Sequence, residues 1–217
     1  MTSEDYFLNK KKNILELYSL KKVDDIAFIG IDRSLSATGV ALVKNNKCIE
    51  SFEICGKEYG GDRLYNLGIS ILNTVLKYKI KYTDIIVIME DYAFGANSRS
   101  VTGIAEIEGV LRFLFKIKNI DYIHISPTSL KKYITGSGAS KKDMMVMFVL
   151  KKFGIQASSN NTADAISLAY LGYNSMKFNN GSKDYTAKEI ESFNTFLSLN
   201  KKPKKVKKGL EQMALDI

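Results

Sequence analysis

The chain has 217 residues, 45% of them apolar, and carries a formal charge of +9 at pH 7. That length suits one domain, or one domain with extensions, and supports a core of ordinary size. The positive charge points to a polyanionic partner, nucleic acid before membrane surface. No apolar run approaches about 18 residues, so no membrane-spanning helix is expected.

In chain order, residues 3–20 predict an amphipathic helix, with Phe7, Ile14, Leu15 and Tyr18 on one stripe. Short β-like runs follow at Ile26–Asp32, Gly39–Val43 and Cys48–Ile54, the last two joined by Asn45-Asn46, a hairpin turn signal. The two cysteines, Cys48 and Cys55, fall in this β region. They are expected as core thiols; neither a disulfide framework nor a Cys/His zinc site is indicated. Leu64–Tyr78 has helical periodicity, and Ile85–Met89 is a continuous apolar strand of the kind buried on both faces. Ser98–Lys118 predicts a helix, Tyr122–Ile125 a strand and Thr128–Tyr133 a short helix. A Gly/Ser loop at 135–139 leads to a helix over Lys141–Phe153, and Thr162–Tyr173 is a strongly apolar helix. The expected fold class is therefore α/β, a mixed five-stranded sheet of three antiparallel strands and then parallel ones, with helices on both faces.

After Met176 the composition shifts. Asn179–Ser182 reads as a linker, 186–199 as a helix, and Lys201–Lys208 as a mobile basic tail or, equally, a solvated spacer. The expected organisation is an N-terminal extension over 1–25, a central domain over 26–176 and a basic C-terminal extension over 177–217. The charged N-terminus lacks a signal-peptide core, which gives a cytoplasmic expectation.

Three carboxylates stand where an α/β fold places ligands. Asp32 ends the first strand, at the sheet edge where such folds bind ligands, although a hairpin-capping Asp would look the same. Glu90 ends the apolar strand Ile85–Met89, and a charge there is costly unless paired or bound to a metal. Asp91 would face the other way, because strand side chains alternate. Asp164 falls in the expected first turn of an apolar helix, where the helix dipole alone could account for an acid. Its small neighbours Ala163 and Ala165 would let that helix approach the sheet and bring Asp164 next to Asp32. Asn161, one turn earlier, reads as a helix cap, with a weak metal ligand as the alternative. Three oxygen ligands without His or Cys suit Mg²⁺ or Mn²⁺ rather than Zn²⁺. A pair of such ions would support in-line displacement at phosphate.

Basic and aromatic residues surround these positions in sequence. Tyr92, Phe94, Asn97 and Arg99 follow Glu90, where aromatics could stack on bases or simply pack. Lys131, Lys132, Lys141 and Lys142 flank the Gly136–Gly138 loop, which could cradle a phosphate or form a solvated face. His124, the only histidine, has no nucleophile motif near it and reads as structural.

With these residues assembled, the chain resembles the RuvC family of Holliday-junction resolvases, which have the ribonuclease H-like fold. The likeness rests on Phe28–Gly39, on Ile88-Met89-Glu90 with Asn97 and the Gly103–Arg112 helix, on Leu130–Lys142 and on Ala163–Ala169, and covers roughly residues 26–175. It implies that Asp32, Glu90 and Asp164 are catalytic metal ligands, and that Lys131 and Lys142 serve DNA binding or catalysis. It also implies a homodimer that nicks opposed strands of a four-way junction. Two positions depart from the family pattern. Asn161 stands where many members carry a fourth acid, and Ala93 occupies the place of an aromatic wedge. Lysine-rich versions of this kind look like those carried by phages, whose setting would be the host cytoplasm and whose action could extend to other branched DNA. The competing classes are an actin-like ATPase or kinase fragment, which would need a second phosphate loop and a second domain, and a catalytically inactive branched-DNA-binding protein.

Overall fold

The computed structural model describes residues 14–91, 98–140 and 144–198. Five strands form one sheet in the order β3-β2-β1-β4-β5. They are β1 (Ile26–Asp32), β2 (Ala37–Lys44), β3 (Lys47–Cys55), β4 (Asp84–Glu90) and β5 (Tyr122–Ile125). The β1–β2 and β2–β3 pairs are antiparallel, while β1–β4 and β4–β5 are parallel. The helices are α1 (Ile14–Ser19), α2 (Gly60–Lys81), α3 (Ser98–Ile117), α4 (Pro127–Thr135), α5 (Met144–Phe153), α6 (Asn160–Asn179) and α7 (Ala187–Ser198). This is the sheet expected from the sequence.

The Asn45-Asn46 turn has φ of 48° and 57°. Asn is one of the few side chains that tolerate this left-handed geometry, which a two-residue hairpin needs for its twist to match the strands. Lys44 and Lys47 pair directly across it.

β1 lies in the middle of the sheet and is buried along its whole length, as a strand covered on both faces must be. Its alternate residues serve two cores. Phe28, with Ala41, Val43, Ile86, Ile88, Ile123 and Ile125, packs under α4, α5, α6 and α7. Ala27, Ile29 and Ile31, with Val40, Leu42, Val87 and Met89, pack under α2 and α3.

Helix α6 is covered on nearly every side, from Thr162 to Met176. It lies against β1 and β2 at unusually short range, because glycines face it. A methyl group on Gly30 would fall 1.9 Å from the Ala165 carbonyl oxygen, and one on Gly39 would fall 2.1 Å from that of Asn161. Neither contact survives a side chain, so the two glycines set where α6 begins over the sheet.

Both ends of the described chain dock on this body. Leu15 and Tyr18 of α1 join the α6-side core, and the Tyr18 hydroxyl donates to the Ile85 carbonyl at 2.9 Å. Phe193 and Phe196 of α7 are fully buried, and the Phe193 ring meets Tyr133, Phe178 and Tyr185. Helix α2 begins earlier and ends later than the Leu64–Tyr78 expectation, and α6 runs on past Tyr173 to Asn179. Of the helix expected over 3–20, Ile14–Ser19 is the described part. Cys55 is exposed and Cys48 half-buried, so the expected core thiols lie at the rim, on the outer strand β3. No helix among the described residues is long and apolar enough to cross a membrane.

Candidate active site

Asp32 is the last residue of β1 and pairs with Gly39 of β2. On the other side, Ile31 pairs with Met89 of β4, which sets Glu90 beside Asp32. Alternation fixes the face. Ile88 belongs to the core under α6 and Met89 to the opposite core, so Glu90 faces α6 with Ile88, and Asp32 does so with Phe28 and Gly30. Asp91 follows the strand, its N–H donating to the Ile125 carbonyl at 2.7 Å.

Asp164 reaches this end of the sheet from above. It directly precedes Ala165, whose carbonyl abuts Gly30. It is the fifth residue of α6, in the second turn rather than the expected first one. The helix starts earlier because Ser159 is its cap: the Ser159 side chain accepts from the Thr162 N–H, and the Thr162 side chain accepts from the Ser159 N–H. This reciprocal capping box satisfies two N–H groups that the helix itself leaves unpaired. Asn161 is therefore not the cap, a correction to the sequence reading. Its Nδ2 instead donates to the Ala37 carbonyl and to Glu53 Oε1, each at 2.9 Å.

Asp32 and Asp164 are 6% and 7% exposed, and Glu90 is half-buried. Carboxylate oxygens of this kind are hard donors, matched to Mg²⁺ or Mn²⁺ by type. The three carboxylates share one end and one face of the sheet. Among the described residues, no group of three or more His, Cys, Asp or Glu side chains stands close enough together to hold a metal ion.

Behind Asp32, on the α3 side of the sheet, is a buried charge cluster that sequence reasoning missed. The Arg33 and Glu108 side chains, 2% and 1% exposed, are ion-paired, and Arg33 Nη2 also donates to the Glu90 backbone carbonyl. Glu108 further pairs with Arg112 one helical turn on, and His124 Nε2 lies 2.6 Å from Glu108 Oε1. Burial first, then the nearby Arg33 and Arg112 charges, lowers the His124 pKa to about 4. His124 thus belongs to this buried cluster and is neutral at pH 7. The available signal was Glu108 itself, an acid among the fully buried Ile107, Leu111 and Phe115, which demands a cation nearby.

The basic loop is built on α4. Ser126 caps this helix, accepting from the Ser129 N–H, and Gly136 ends it with φ of 78°. Lys131 and Lys132 are both half-buried on α4, and Lys132 Nζ pairs with Glu191 of α7. Arg99 falls in the first turn of α3. Tyr92, Phe94, Asn97, Lys141 and Lys142 lie outside the described residues, as do the tail lysines from 201 to 208.

A family model, Crossover junction endodeoxyribonuclease RuvC, matches residues 28–171. The chain belongs to the RuvC family. The match runs from β1 into α6 and takes in Asp32, Glu90 and Asp164, leaving α1 and α7 outside it. The RuvC of Brachyspira hyodysenteriae is 30% identical over 146 residues, which cover 65% of this chain and 89% of that protein. The RuvC of Anaplasma marginale is 28% identical over 154 residues, with 65% and 89% covered. Among solved structures, Thermus thermophilus RuvC in complex with a Holliday junction substrate aligns with a TM-score of 0.58 at 14% identity, covering 72% of this chain and 96% of that one. At that identity the likeness supports the fold, and it agrees with the ribonuclease H-like expectation.

Proposed function

We propose that this RuvC-family chain is a divalent-metal-dependent endonuclease that resolves four-way DNA junctions, acting as a homodimer that nicks two opposed strands. The observation that carries this reading is the placement of Asp32, Glu90 and Asp164 on one face at one end of the sheet. The family it joins is that of crossover junction endodeoxyribonucleases, and a fold neighbour was solved with a Holliday junction substrate.

Asp32, Glu90 and Asp164 would hold Mg²⁺ or Mn²⁺, with the Asn161 amide oxygen as a further neutral donor. A divalent ion at such a site lowers the pKa of water and stabilises the leaving oxygen at a phosphodiester. The chain supplies the remainder. The carboxylates come from two strand ends and one capped helix, so their backbones are rigid. Lys131, Lys132, Lys141 and Lys142 around the Gly136–Gly138 loop offset backbone phosphate charge. Tyr92, Phe94, Asn97 and Arg99 follow Glu90 and are suited to contact the strand beside the cut. The homodimer reading is supported by the exposed face of α3, where Ala105, Gly109, Phe113 and Ile117 recur every four residues, with Phe113 65% and Ile117 55% exposed. A two-fold contact uses the same patch on both copies, and an exposed apolar stripe suits that role.

The test is a cleavage assay on four-way, three-way, flap and linear duplex DNA, with and without Mg²⁺. Paired nicks in the four-way junction, dependent on the metal, are expected. Asp32→Asn, Glu90→Gln and Asp164→Asn should each abolish cleavage and retain junction binding, since each removes negative charge near phosphate. Full cleavage by two of these variants would overturn the site.

A further inference from the structure

The Asn161 amide is held in one orientation by its surroundings. Its nitrogen stands 2.9 Å from two oxygens, the Ala37 backbone carbonyl and Glu53 Oε1. A carbonyl and a carboxylate only accept, and only the NH₂ end of an amide carries two donors. Flipping the amide would set three acceptor oxygens against one another with no proton between them. Both Nδ2 hydrogens are thus committed, and among the described residues Oδ1 accepts no hydrogen bond.

Glu53 is well placed for this. It pairs with Gly39 across β3 and β2, and Gly39 pairs with Asp32, so Glu53 stands in the same row and on the same face as Asp32, two strands away. It also takes a 2.6 Å hydrogen bond from the Ser159 hydroxyl, the cap of α6. Asn161 and Asp164 are three residues apart on α6, hence on one side of that helix.

We propose that Glu53 is a positioning residue: from β3 it fixes the Asn161 amide so that Oδ1, not Nδ2, is presented on the Asp164 side of α6 as a neutral metal ligand. This rests on the metal-dependent reading above. In this chain the acid and the ligand are split between two elements, a carboxylate on β3 and an amide on α6. An Asp at 161 would meet Glu53 and the Ala37 carbonyl with nothing to donate. The usual expectation, that a carboxylate binds a divalent ion better than an amide, is therefore reversed here unless Glu53 is neutralised as well.

The experiment measures Mn²⁺ binding by calorimetry and the Mn²⁺ needed for half-maximal junction cleavage, with metal-free junction binding and melting temperature in parallel. Glu53→Ala should weaken Mn²⁺ binding about tenfold or more, as loss of a group that orients a ligand does, while metal-free junction binding is unchanged. Glu53→Gln, whose side-chain oxygen still accepts from Nδ2, should stay within about threefold of wild type. Asn161→Asp should bind Mn²⁺ more weakly than wild type, and adding Glu53→Gln to it should restore binding by about tenfold. The proposal is overturned if Glu53→Ala lowers the melting temperature but leaves Mn²⁺ binding unchanged, because Glu53 then only anchors α6. It is equally overturned if Asn161→Asp binds more tightly than wild type and Glu53→Gln adds nothing. Wild-type protein that neither binds Mn²⁺ nor needs it for cleavage would instead refute the metal-dependent function itself.

Discussion

Replacing Glu108 with Gln keeps its shape and removes its charge. The Arg33 guanidinium, 2% exposed, then loses its carboxylate inside the protein. Breaking a buried ion pair from one side costs about 3–5 kcal/mol, because the remaining charge is left uncompensated. The other partners suffer less: Arg112 is 48% exposed and can turn to water, and His124 already sits neutral. With about 2–4 °C of melting temperature per kcal/mol at this chain length, the loss corresponds to roughly 6–20 °C. That is a large part of a typical domain's stability of about 5–15 kcal/mol. The assay is urea denaturation of Glu108→Gln, of Arg33→Met and of the double variant Arg33→Met/Glu108→Leu at pH 7 and low temperature. The double variant carries no unpaired buried charge and should recover at least half of the single-variant loss. A loss below about 1 kcal/mol in Glu108→Gln, or a double variant no better than either single one, would refute the account of a buried, mutually dependent pair.

Gly39→Ala should force the start of α6 off the sheet, at a cost of about 1–3 kcal/mol, and cut cleavage more than a stability-matched core variant; equal activity in the two would remove the close approach from the site's design. His124 is held at about 4 against an ordinary 6.5, so below pH 6.5 the unfolded chain binds more protons than the folded one. Its contribution is complete above pH 6.5 and lost as pH falls toward 4. A melting-temperature profile over that window should be flatter in His124→Asn, and an unchanged slope would contradict this. Phe113→Lys on the exposed α3 stripe should shift the protein to monomer in sedimentation and convert paired nicks to single ones; an intact dimer would move the interface elsewhere.

Much of this architecture could be read from residue order. The strands and the Asn45-Asn46 turn are local signals, and Asp32 and Glu90 end apolar runs, so their place at the sheet edge followed from period alone. The start of α6 was less legible. Ser158-Ser159-Asn160-Asn161-Thr162 offers five consecutive candidates for a cap, and the one used, Ser159, is also tied to Glu53 on β3, a contact no local spacing reveals. The far end of α6 was missed because burial on nearly every side erases the apolar stripe that marks a helix, and because Asn174, just past Tyr173, satisfies its polarity by donating to the Tyr133 hydroxyl at 2.6 Å. The Arg33–Glu108 pair joins a strand end to a helix on the far face of the sheet, a meeting that depends on how the α3 crossover folds back and not on any local spacing.

The strand order also bears on when during its synthesis such a protein could first act on DNA. Asp32 leaves the ribosome in the first strand, Glu90 only in the fourth, and Asp164 later still, in a helix whose seat is made by Gly30 of β1 and Gly39 of β2. Much of the lysine charge that attracts nucleic acid precedes that helix. An unfinished or truncated chain would therefore acquire affinity for the genome well before it acquired the means to cut it. The means to cut would arrive only once the Asp164 helix has been made and seated on the sheet, while α7 is still to be added.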